Sequence, residues 1–72
     1  MKFAIFSDGR PEWWSTLEGA RDHATQIFVQ NMKYADAIHV YGENDFMHPV
    51  LTICRQGYGG PASENRIEIL TP

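Results

Sequence analysis

"STLEGARDHATQIF", residues 15–28, decides how the rest of the chain is to be read. Leu17, Ala20, Ala24, Ile27 and Phe28 recur at spacings of three and four, an apolar stripe on one side of a helix. Arg21, Asp22, Thr25 and Gln26 take the other sides. Ser15 followed three residues later by Glu18 has the form of a capping box, with the serine hydroxyl accepting from the Glu18 backbone N–H and the carboxylate reaching back. The pattern predicts a helix from Thr16 that ends near Asn31. "PEWW", residues 11–14, leads into it. The fourth helical residue is Gly19, so no hydrophobic staple is available to Trp14. The glycine leaves a notch that one indole can cover while the other points elsewhere.

Outward from the helix the pattern changes to alternation. "KFAIFS", residues 2–7, is rich in β-formers and ends at "SDGRP", where Asp-Gly and Pro signal a turn. "DAIHVYG", residues 36–42, sets Ile38 and Val40 on one face and Ala37, His39 and Tyr41 on the other. "GENDF" is a polar loop. "PVLTICR", residues 49–55, sets Leu51 and Ile53 against Val50, Thr52 and Cys54. A connection this short makes the last two strands an antiparallel hairpin. "QGYGGPASEN" is irregular, and "RIEIL" supplies a short last strand with Ile67 and Ile69 inward. The expected fold is α+β: a three- to four-stranded, mostly antiparallel sheet with one helix packed on one face, in the order β-α-β-β with an optional final β. The place of the first strand relative to the others stays open.

All 72 residues fit one domain, and a chain of this length buries only roughly 60% of the surface it exposes when unfolded. With 43% hydrophobic and 21% charged residues it has globular usage. No run nears the ~20 apolar residues of a membrane span, and Ser7, Asp8 and Gly9 break the opening apolar run before a signal-peptide core forms. A cytoplasmic protein is expected. Six basic residues against nine acidic give a net charge of −3, and the basic ones are scattered. Nucleic-acid binders concentrate Lys and Arg on one face, so direct binding to DNA or RNA is not expected.

Few residues suggest chemistry. Cys54 is the only cysteine, which excludes an internal disulfide and a multi-cysteine zinc site. His23, His39 and His48 lack the close spacing of a ligand set, so no metal or other cofactor is expected. Cys54 and His39 project from the same expected face, but a third group and oxyanion donors are not evident, and a small buried hydrophobe is the ordinary role for such a cysteine. "GYGG", residues 57–60, lacks the lysine and hydroxyl of a phosphate loop and reads as a turn with Tyr58 at its tip.

Contact residues are better represented. One helix covers one face of a small sheet, which leaves Ala4, Phe6, His39, Tyr41, Val50, Thr52 and Cys54 on the open side. Trp and Tyr dominate interface hot spots, so Trp13, Trp14, Tyr41 and Tyr58 are the expected anchors, with Glu43 and Asp45 as charge complement to a basic partner. In size, slight acidity and the order of "KFAIFS", "STLEGARDHATQIF", "DAIHVYG" and "PVLTICR", the chain resembles small accessory proteins of phages and mobile elements, anti-CRISPR proteins among them. The resemblance carries no diagnostic motif and transfers no functional residue. It implies a non-enzymatic inhibitor that binds a host protein or complex, such as a CRISPR effector subunit, and occludes its basic surface. A homodimer formed through the open face is the alternative, testable by placing a charge at Tyr41 or Val50. A Cys54/His39 enzyme is the third reading.

Overall fold

The computed structural model of the chain describes residues 1–31, 36–55 and 67–72. Among them are one helix and five strands: β1 (Phe3–Ser7), β2 (Arg10–Trp14), α1 (Leu17–Gln30), β3 (Ala37–Gly42), β4 (Leu51–Arg55) and β5 (Ile67–Leu70). The strands form one sheet in the order β2-β1-β3-β4-β5, with every neighbouring pair antiparallel. α1 lies over β1 to β4. The α+β architecture is as expected, but the strand count is five rather than three or four.

The extra strand is the segment expected as the lead-in to the helix. Asp8 and Gly9 both take positive φ, 53° and 78°, the backbone of a two-residue hairpin turn whose twist matches that of the flanking strands. Ser7 therefore pairs with Arg10, and Phe3 with Trp14. Pro11 has no N–H to give a ladder, which an edge strand tolerates. Chain direction settles the place of β1: it pairs antiparallel with both β2 and β3, so β2 and β3 run parallel on either side of it. α1 is thus the crossover of a split β-α-β unit.

The cap also lies one residue further on than the sequence suggests. Thr16 has extended backbone and its Oγ1 accepts from the Gly19 N–H at 3.0 Å, so Thr16, not Ser15, is the N-cap. Asn31 closes the other end as expected, its backbone N–H and Nδ2 both donating to the Ile27 carbonyl, at 3.1 and 2.9 Å.

Ala20, Ala24 and Phe28 are fully buried and meet Ile5, Val40, Leu51 and Ile53 of the sheet. Two alanines in succession let the helix axis come close to the strands, and Phe28 fills the space beyond them. Burial of a side chain of that size stabilises by about 1.5–3 kcal/mol. Leu17, expected in the stripe, is exposed, while Ala20 of the same turn is fully buried. Val50 was expected on the open face. It precedes β4, its N–H donates to the Val40 carbonyl at 2.8 Å, and its side chain packs against the core.

Candidate functional site

The two tryptophans go to opposite faces, as adjacent strand residues must. Trp14 turns toward the helix. A Cβ on Gly19 would lie 3.5 Å from its Cε3, so the indole does cover the notch, and its ring lies against His23. Among the described residues its Nε1–H has no acceptor. Trp13 turns to the open face, in register with Ala4, which is in turn in register with Tyr41.

That register assembles an aromatic cluster. Phe6 meets Tyr41 at 5.7 Å between centroids and Phe46 at 5.3 Å, both near-perpendicular. Phe46 also meets Trp13 at 5.9 Å and Tyr41 at 6.3 Å. Edge-to-face pairs at these separations are favourable for rings. Ala4 is fully buried although it lies on this face, because rings stand on both sides of it and Phe46 touches both. Phe6, Trp13 and Phe46 nevertheless remain between 41% and 46% exposed.

Phe46 comes from the loop between β3 and β4, and Asp45 fixes that loop. Its Oδ1 accepts from the Met47 N–H at 2.8 Å and the His48 N–H at 3.3 Å, and its Oδ2 lies 3.2 Å from His48 Nδ1. The Met47 N–H, with help from His48, holds the Asp45 carboxyl below its usual range. Glu43 is likewise engaged, accepting from the Lys2 backbone N–H at 2.9 Å. Both acidic residues nominated as charge complement therefore also brace the connection that presents Phe46.

Among the described residues, two hollows adjoin one another on this face. One, of about 320 Å³, is lined by Phe6, Tyr41, Phe46, His39 and Ala37 among others. The second, about 380 Å³, is lined by Asp36, Ala37, Thr52, Cys54, Arg55, Glu68 and Leu70. They share Ala37 and form one groove across β3, β4 and β5. His39 Nδ1 lies 2.9 Å from Thr52 Oγ1, its partner in register, which fixes the ring at the groove's middle.

Cys54 stands opposite Ala37 and Glu68 rather than His39. Burial, and secondarily the Glu68 carboxylate, push the Cys54 thiol above its ordinary pKa. Among the described residues no three His, Cys, Asp or Glu side chains are grouped to hold a metal ion. No helix among them is long and apolar enough to cross a membrane.

Of the six nominated contact residues, Trp13 and Tyr41 meet in the cluster around Phe46, Glu43 and Asp45 precede that ring in sequence, Trp14 lies on the other face, and Tyr58 is outside the described residues. The residue missed was Phe46 itself. Its signal was present in "DFMHP", where Phe46 and Met47 interrupt an otherwise polar loop. Comparison with protein-family models, curated proteins and solved structures returns no match.

Proposed function

We propose that the protein is a non-enzymatic binding module that takes a basic segment of a protein partner onto the open face of its sheet. The observation that carries this reading is the solvent-facing cluster of Phe6, Trp13, Tyr41 and Phe46 at one end of a groove. Rigid aromatic side chains give large contact area at little entropic cost, and their faces attract Arg and Lys by about 0.5–1 kcal/mol each at exposed sites. The charges agree. Among the described residues no lysine or arginine lines the ring end, Asp36 and Glu68 line the far end with Arg55, and the chain carries a net −3. Aromatic sheet faces also stack nucleic-acid bases, but such sites add a basic track for the phosphates.

In its narrower form the reading is a phage-encoded inhibitor whose target is the nucleic-acid-binding surface of a host complex of the CRISPR type. Such an inhibitor displaces DNA or RNA from that complex, and the effect is lost with the ring cluster.

The test is an NMR titration of the isotope-labelled protein with an arginine-rich peptide and, separately, with single-stranded DNA. Salt-dependent shifts at Phe6, Trp13, Tyr41 and Phe46 with the peptide, weakened about 5- to 30-fold by Phe46→Ala, are expected. Shifts with the oligonucleotide instead, or peptide shifts confined to the helix face, overturn the reading.

A further inference from the structure

The two edges of the sheet are built differently. β2 closes one edge with Arg10, Pro11 and Glu12, all exposed, and charge with proline on an edge blocks pairing with another chain. β5 forms the other edge with Ile67, Glu68, Ile69 and Leu70, a sequence with two β-branched isoleucines, no proline and one charge. Among the described residues nothing pairs with its outer side, and α1 does not reach over it. Ile69 and Leu70 are 46% and 47% exposed.

We propose that β5 is a self-association edge, pairing antiparallel with β5 of a second copy to make one continuous sheet. This does not rest on the binding role assigned to the open face. The occupant follows from backbone groups and symmetry together. An uncovered strand edge presents N–H and C=O groups that only another strand satisfies in series. A two-fold axis normal to the sheet keeps both helices on one face, and it requires paired residues to share a face. With the short strand overlapped as far as that requirement allows, the axis passes beside Glu68 or beside Ile69.

The charge on Glu68 chooses between them. Centring on Glu68 sets two carboxylates directly opposite, which is destabilising. Centring on Ile69 pairs it with its own copy, sets Glu68 opposite the partner copy's Leu70, and sets Ile67 opposite the partner copy's Thr71. Ile67 and Ile69 of both copies then make one unbroken apolar row on the helix side, continuous with Ile53, to which Ile69 is already paired. Both exposed apolar residues of the strand are covered, Ile69 by its twin and Leu70 along the Glu68 stem.

Sedimentation velocity across a concentration series tests this, beside variants Ile69→Lys and Ile69→Glu. The expected mass of the unaltered chain rises from 8.2 kDa to double that value. Each variant alone stays at the single-chain mass with an unchanged circular dichroism spectrum, because like charges meet across the axis. An equimolar mixture of the two regains the doubled mass, because Lys then faces Glu. Hydrogen exchange at the β5 amides, read on the unaltered chain, slows as concentration rises and keeps the test independent of how the variants fold. The proposal is overturned by a single-chain mass up to millimolar concentration, by a doubled mass that both variants retain, by a mixture that stays at the single-chain mass, or by β5 exchange that ignores concentration.

Discussion

The indole of Trp14 lies tilted on the imidazole of His23, with centroids 4.6 Å apart and planes at 35°. The contact ties the edge strand β2 to the helix, and the Glu12 carboxylate, 3.6 Å from His23 Nε2, adds to the same tie. Removing Trp14 therefore strips the start of the helix of its cover. Trp14→Ala is expected to destabilise by about 2–4 kcal/mol and Trp13→Ala by about 1 kcal/mol, because only the former packs against the core. Trp14→Phe is expected to be milder, since it also removes an N–H that has no acceptor among the described residues. Urea denaturation of the three variants measures this, and equal losses for the two alanine variants contradict it.

Helix capping gives a second comparison. Thr16→Ala removes the acceptor of the Gly19 N–H and is expected to lower stability by about 1 kcal/mol, a fall in Tm of roughly 4–8 °C for a domain of this size. Ser15→Ala is expected to cost about a tenth to a few tenths of that. A larger loss at Ser15 restores the capping box as the helix start.

The loop that presents Phe46 should respond to acid. Asp45 has a lowered pKa because its charged form accepts from Met47 and His48, so the contribution of these bonds is present above the unfolded value and lost as pH falls through the lower folded one. The window is below about pH 4. Near-ultraviolet circular dichroism from the Phe46 cluster is expected to weaken there. Asp45→Asn keeps an acceptor oxygen for the Met47 N–H but does not titrate, so its signal should stay flat over the same range.

Thiol chemistry separates a binding protein from a cysteine enzyme. With its pKa raised by burial and by Glu68, Cys54 should react with iodoacetamide more slowly in the folded protein than in the unfolded chain at neutral pH. Glu68→Gln should speed the folded reaction. Folded-state labelling faster than that of the unfolded chain would return Cys54 to consideration as a nucleophile.

Sequence periodicity carried the part of the fold in which each strand is buried on one face. Ile38 and Val40 were legible as partners of Ile53 and Leu51 because alternation and a short connection fix both the face and the pairing. β2 was hidden because "RPEWW" offers two adjacent indoles and a proline where alternation would be sought. Its signal lay in the turn instead, since Asp-Gly between β-forming runs asks for a hairpin and not merely a change of direction. The one-residue shift of the cap reflects two adjacent hydroxyl residues, Ser15 and Thr16, either of which fits a cap by type. On the open face, Phe6 and Tyr41 were legible from strand parity. Phe46 was not, since parity says nothing about a loop, and the bonds of Asp45 and Glu43 hold the loop that brings that ring over the strands.

The separation of Trp13 from Trp14 also equips the protein with two independent optical reporters. Trp13 emits from a half-exposed site beside Phe46, so its fluorescence should track whatever covers the open face. Trp14 emits from beside His23, against the start of the helix, so it should track the integrity of the strand-to-helix tie. Two single-tryptophan variants made with phenylalanine would allow capture of a partner and loss of fold to be followed separately, one in each variant.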